Sequence, residues 1–525
     1  MSMFTRRRRI GIAVALTALT AALGAAVAAP AGAAAHDQVR VTQVSGPNAM
    51  PQCTAWPTSD AQTAAMRDWD VEPALAASPS NPDHLVAAWM TGYSDAISAA
   101  VSDDGGSSWS VHGVTVNDCT KYHSAFDPSV AIGRDVASRT KAGEVTYLVT
   151  DTAAPPSGTT APLEALRPSA AAYPDTGVVV LTSYDGTAGS WGTPTVLDRA
   201  SDVESIDGSH VTVDPAHSGT AYVLWSKANI YTFARDVYLA TTVDGGRHWS
   251  APTRLPATPA GTIAIGTRLV VGPGGAIAAL SSAVPEAQYA MAPPGPLYDA
   301  ALKGRTPHTV GPTELVVTTK AFGGAWTAQR TIADMDPARF TNVGVGWNAS
   351  GQIAASWVRV DTATIQPMVI ESADGGLTWG AARAAGPAVE SAPFLAGPDI
   401  VAPPTVLVDG GGRPSLVFYD HRNDNPAAHP AGDPPHTTQA WARQFGDGAW
   451  SEQRVLGPFD GTAGPAGDGS FCDTDCTPTH SFFGDYFGGV TMRKDGLGVV
   501  LGASNPRPDS PHNTDLYFVR LDRGA

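Results

Sequence analysis

From about Val71 to the C-terminus the chain repeats one pattern: a short apolar run, a turn rich in Gly or Asp, a second run, a third, and a hairpin. Residues alternating in and out at a period of two, broken every few positions by turn formers, predict β-strands joined by tight turns. Seven runs read as inner strands: Glu72–Ala76, Asp127–Ile132, His210–Val213, Arg268–Val271, Asn342–Gly346, Thr405–Val408 and Gly489–Met492. Second strands follow at similar distances, Leu85 to Trp89, Val145 to Val149, Ala221 to Trp225, Ala276 to Leu280, Ile353 to Trp357, Ser415 to Tyr419 and Gly498 to Ala503. Repetition at this period is the mark of an array closed around one axis. The expected fold is all-β: a β-propeller of four-stranded antiparallel blades, seven by this count and six if one inner strand is a loop insertion.

Three hairpins share a pattern, [S/T]-x-D-G-G-x-x-W, at Ser102 to Trp109, Thr242 to Trp249 and Ser372 to Trp379. The Asp can accept bonds from turn amides, the Gly can take positive φ, and the Trp is expected to fold back over the hairpin. Eroded copies end at Trp191, Trp326 and Trp450, which places one hairpin in each of six units. The seventh unit ends after its third strand, Asp515 to Leu521. Its missing outer strand is available near the other end of the chain, where Val39, Val41 and Val44 alternate, so that pairing the two ends removes exposed sheet edges.

Composition narrows the class. With 525 residues, Gly 55, Pro 43 and charged residues at only 16%, many strands and turns are expected in one large domain. A formal charge of −16 excludes an electrostatic grip on nucleic acid. Arg6 to Arg9 precede an apolar run, Ile10 to Ala29, and Ala33 to Ala35 supply small residues, so residues 1–35 read as an export signal, of secretory or twin-arginine type. Residues 36–70 then hold the ring-closing strand and 71–525 the propeller. No second hydrophobic span follows, and a secreted, extracellular monomer is expected. An exported chain allows disulfides: Cys472 and Cys476 form a small local loop, which leaves Cys53 and Cys119, although four cysteines admit three pairings.

The hairpin pattern resembles the Asp box of the BNR/sialidase superfamily, and Gly484-Asp485-Tyr486-Phe487-Gly488-Gly489-Val490 is similar to that family's nucleophile blade. The resemblance implies a retaining exo-α-sialidase type of glycoside hydrolase acting on terminal sugars of a glycan, with a Tyr nucleophile activated by a Glu, an Asp acid/base and three arginines that clamp a carboxylate. Carried onto this sequence, Tyr486 is the candidate nucleophile, Asp70 or Asp127 the acid, and Arg268, Arg359 and Arg422 the clamp, with Glu72, His123 and His210 also at strand starts that face the axis. One departure is plain. Where the family opens its first inner strand with Arg-Ile-Pro, this chain has Glu72-Pro73, and the exchange inverts the charge. The departure favours two alternatives: a non-catalytic propeller that binds glycan or protein, or a lyase in which His123 or His210 takes a proton beside a uronate carboxylate. No cofactor is required, and Asp68, Asp70 and Glu72, or Asp473 and Asp475, offer hard oxygen ligands for a structural Ca²⁺.

Overall fold

The computed structural model describes residues 38–53, 68–92, 95–116, 124–136, 143–153, 177–186, 189–201, 203–229, 234–285, 313–335, 343–360, 364–390, 404–423, 437–461, 463, 483–484, 486–492, 496–505 and 513–522. They belong to one compact unit, 37–523. Seven antiparallel sheets form a ring, a seven-bladed β-propeller. Among the described residues no helix is long and apolar enough to cross a membrane.

Each blade begins at the axis. The inner strands are Val71–Ala77, Ser124–Arg134, Glu204–Val213, Thr262–Val271, Gly344–Trp347, Thr405–Val408 and Gly488–Thr491, and we number the blades 1 to 7 in that order. Blades 1 to 6 run outward in chain order. Blade 7 takes its outermost strand, Gln38–Gln43, from the other end of the chain, antiparallel to Thr514–Asp522 with Gln38 opposite Asp522 and Gln43 opposite Tyr517. Just beyond that strand, the Val44 amide donates to the Leu516 carbonyl at 2.8 Å, and the Leu516 amide to Ser45 Oγ at 2.8 Å.

The hydrophobic core is a set of layers between adjacent blades. The three hairpins with the full pattern have the same internal bonds. In blade 1 the Gly106 amide donates to Ser102 Oγ at 2.8 Å and the Ser108 amide to Asp104 Oδ1 at 2.9 Å. The same pair of bonds recurs at Thr242 and Asp244, and at Ser372 and Asp374. The tryptophan behaves differently from the expectation. Each packs into the layer shared with the preceding blade, Trp109 against blade 7, Trp191 against blade 1, Trp249 against blade 2, and Trp326, Trp379 and Trp450 likewise, while Trp379 also donates its indole N–H to the Gly376 carbonyl of its own hairpin at 3.0 Å. Trp109 meets Phe518 edge-on at 5.5 Å, and Trp249 meets Tyr147 at 6.2 Å. The reason is area, because an indole buried between two sheets removes far more apolar surface from water than one lying on an exposed turn. The layer between blades 6 and 7 has no such hairpin and is filled by Tyr419, Phe459, Phe483 and Phe487.

Candidate functional site

Four inner strands carry a β-bulge at the same place. In blade 1, Glu72 and Pro73 together oppose the single residue Trp89, because Val71 pairs with Met90 and Ala74 with Ala88. Asp127 and Pro128 do so in blade 2, Gly208 and Ser209 in blade 3, and Gly266 and Thr267 in blade 4. The first residue of each bulge has positive φ: 55° at Glu72, 51° at Asp127, 69° at Gly208 and 57° at Gly266. Glycine takes this conformation freely, and a bulge with glycine in that place is a standard form. A side chain there costs on the order of 1–3 kcal/mol, and the proline that follows both acids disfavours helical backbone at the preceding residue. Among the described residues, the third non-glycine with positive φ is Asp447, in the Gly446-Asp447-Gly448 hairpin turn where such backbone is ordinary.

These two strained acids meet. Glu72 is 4% and Asp127 8% exposed, and their side chains are hydrogen-bonded. Burial, then the charge of Asp207, raises Asp127 to about 6, with the bonds from Glu72 and from the Gly208 amide, at 3.0 Å, opposing the rise. Asp207 in turn pairs with Arg235 at 2.9 Å. Behind them Asp151 is fully buried; its Oδ2 accepts the Ser209 amide at 3.1 Å and its Oδ1 has no partner. Burial, with Asp127 and Asp207 adding to it, pushes its carboxyl well above the usual range.

Tyr486 stands beside this group. Its hydroxyl donates to the Pro128 carbonyl at 3.1 Å, which is the second bulge residue of blade 2. Burial, then the charges of Glu72 and Asp127, hold the phenol well above its ordinary value, opposed by Arg268. The Arg268 guanidinium lies over the Tyr486 ring, 5.2 Å from its centroid, and no carboxylate pairs with it among the described residues. His210 belongs to the same wall. Its Nδ1 is buried without a partner, and burial, with Arg268 adding to it, pushes the ring down to about 3, so it is neutral at ordinary pH. A cleft opens over blades 3 and 4, bounded by Asp127, Asp207, Arg235, Arg268, Tyr486 and the bulge glycines Gly208 and Gly266.

The structure therefore brings together Glu72, Asp127, His210, Arg268 and Tyr486. It places three other candidates elsewhere. Asp70 is 1% exposed in the seam between blades 7 and 1, where it accepts the Trp89 indole N–H at 2.8 Å; burial raises its carboxyl to about 8, with the charge of Asp515 adding to the rise. Its main-chain N–H and C=O are both engaged by Thr514 Oγ1. Arg359 donates to the Asp334 carbonyl of blade 4 at 3.0 Å. Arg422 is tied to Asp420 and Glu452 within blade 6 and stacks on Trp441 at 3.9 Å. These guanidinium groups are held by acids and carbonyls of the scaffold, so no three-arginine clamp surrounds Tyr486 among the described residues. His123, Cys119, Cys472 and Cys476 lie outside the described residues; Cys53 is buried against Met50 and Ala96. No group of described His, Cys, Asp and Glu residues is arranged to hold a metal ion.

Sequence reading missed Asp151, Arg235 and the bulge itself. The signal was present as four aligned dipeptides, Glu72-Pro73, Asp127-Pro128, Gly208-Ser209 and Gly266-Thr267, each with an apolar residue two positions after it, at Leu75, Val130, Val211 and Leu269.

No family model and no curated protein matches the chain. Among solved structures it is similar to the alpha-L-arabinofuranosidase Arb93A of Fusarium graminearum, at 11% identity and TM-score 0.43 over 92% of this chain and 97% of that one. It is similar to the NanB sialidase of Streptococcus pneumoniae, at 13% identity and TM-score 0.38 over 90% and 70%. An ulvan lyase of polysaccharide lyase family PL25 gives 11% identity and TM-score 0.49 over 86% and 94%. These likenesses concern the fold.

Proposed function

We propose that the axial cleft cleaves a glycosidic bond at the end of a glycan by hydrolysis, with Asp127 as the acid. One observation carries this reading. In four equivalent bulges two have glycine, and the two that pay the steric cost of a side chain both hold acids, directed at one tyrosine. Strain kept at a site of convergent titratable groups points to use. Transfer of a proton from Glu72 to Asp127 gives the reactive form, in which Asp127 is the acid and Glu72 the base. Attack of Tyr486 Oη on the anomeric carbon passes the phenolic proton to Glu72, while Asp127 protonates the departing oxygen. Water then cleaves the tyrosyl glycoside, its proton passing to Asp127 while Glu72 returns the phenolic proton to the departing Tyr486 Oη. A phenol held this far above its ordinary value does not ionise in advance, so a base within reach is a requirement of the step.

The charge of the site argues against a sugar held by a carboxylate clamp, since Arg268 is the one described guanidinium here without an acid partner. A second reading, β-elimination from a uronate, is favoured by the neutral ring of His210 next to that guanidinium. Assay of the purified protein on a panel of aryl glycosides and on mixed glycans decides between them. Release of reducing sugar that falls at least 100-fold in Asp127→Asn supports hydrolysis. Ultraviolet-absorbing unsaturated products support elimination. Sugar binding without either product makes the molecule a lectin-like propeller, and hydrolysis unchanged in both Asp127→Asn and Tyr486→Phe overturns the assignment.

The proposal includes export, with residues 1–35 removed, and disulfides pairing Cys472 with Cys476 and Cys53 with Cys119. N-terminal sequencing of protein recovered from the medium, and a non-reduced peptide map, test the two parts.

A further inference from the structure

The four bulges differ in what they send toward the axis. Blades 1 and 2 present the carboxyls of Glu72 and Asp127, whereas blades 3 and 4 present only the backbone of Gly208 and Gly266. A Cβ built on Gly208 meets no atom within 4 Å. The empty space continues into the cleft that both glycines line. The Asp127 carboxyl, which accepts the Gly208 amide, thus borders space where the repeat would otherwise place a side chain at 208.

We propose that this gap is the subsite for the terminal sugar ring, and that Gly208 determines whether a ring fits. The inference rests on the hydrolase reading for its chemistry, and it adds where the substrate lies. Stereochemistry alone does not demand glycine at 208, since blade 2 shows that an acid is accepted at the same bulge position. The Gly208 amide donates to Asp127 at 3.0 Å, and a main-chain donor survives substitution. What a side chain at 208 removes is the room. The floor offered to the ring is polar main chain, flanked by the Asp207–Arg235 pair and by Arg268. Such edges match hydroxyl groups, which both donate and accept, and suit one ring better than an extended apolar ligand.

The experiment compares wild type with Gly208→Asn, because asparagine tolerates positive φ better than most side chains. The control is Gly274→Asn. Gly274 has φ 68° with no atom within 4 Å of a built Cβ and lies in the turn Pro273–Gly275 after the inner strand of blade 4, away from the residues that bound the cleft. Each protein is assayed for turnover of the aryl glycoside panel and titrated calorimetrically with the methyl glycosides of common hexoses and pentoses.

Gly208→Asn is expected to raise KM, and the Kd of any bound methyl glycoside, at least tenfold while kcat stays within about threefold. Gly274→Asn is expected to match wild type in both. Wild-type turnover with an unchanged KM in Gly208→Asn overturns the subsite and leaves the hydrolase reading intact. Sugar binding without turnover, lost in Gly208→Asn, supports the subsite and overturns hydrolysis. If wild type neither binds nor cleaves any sugar tested, both fall.

Discussion

At Glu72 and Asp127 the chain holds a left-handed backbone that its next two blades hold with glycine, and two effects follow from one cause. Replacing Asp127 by Gly removes the steric cost and the buried carboxyl together, so stability is expected to hold or to rise by about 1 kcal/mol in urea unfolding at pH 8 while activity is lost. A clear fall in stability would mean that the acid is there to hold blades 1 and 2 together. The proton adds a pH dependence. Asp127 is raised from 3.8 to about 6, so its protonated form is favoured by folding. The stabilisation it contributes is complete below about 4 and is lost as pH rises through about 6. As the acid of the reaction, it is expected to make kcat fall as pH rises through the same range, with the limb missing in Asp127→Asn. A rate independent of pH between about 5 and 8 would remove Asp127 from that role.

Elements report on the scaffold. Asp70 lies in the seam where the first inner strand meets the last blade, near Trp89 and Thr514. Its folded value is about 8 against 3.8, so burial of the neutral acid stabilises fully below about 4, and that contribution is lost as pH rises through about 8. Asp70→Asn is therefore expected to be more stable than wild type at about pH 9 and to lose that advantage at about pH 5, by thermal unfolding. An equal difference at both pH values would show that the carboxyl does not titrate there. The hairpins give a second case. A Cβ on Gly106, which has φ 87°, would lie 2.0 Å from the Phe518 ring of blade 7. Gly106→Ala combines overpacking with left-handed backbone, and a loss of about 2–4 kcal/mol in urea unfolding is expected. The hairpins were legible because Asp104, Gly106 and their counterparts act within a few residues of each other. The packing of Trp109 was not, since its partner Phe518 is more than four hundred positions away. Candidates split in the same way. Tyr486, Asp127 and Glu72 start inner strands and converge as the repeat requires, but residue type alone could not show that Arg422 is engaged by Asp420 and Glu452, or that Asp70 lies in a closed seam.

For the whole molecule, the count of seven followed from periodicity, which survives loop insertions; it needed no knowledge of contacts. What periodicity cannot supply is the state of the ring at its join. Without residues 38–45 the strand Thr514–Asp522 becomes an open edge, with Val39 and Val44 gone from the layers beside it. A chain beginning at residue 46 is expected to self-associate, seen as early elution in size-exclusion chromatography with light scattering; a monomer of unchanged thermal midpoint would show that the join is dispensable. The pairing of Gln38 with Asp522 also bears on protein engineering. With those two residues face to face, a short Gly-Ser bridge between them would turn the propeller into a continuous loop of sequence, and new termini opened in a surface turn would give circularly permuted forms whose axial cleft is untouched.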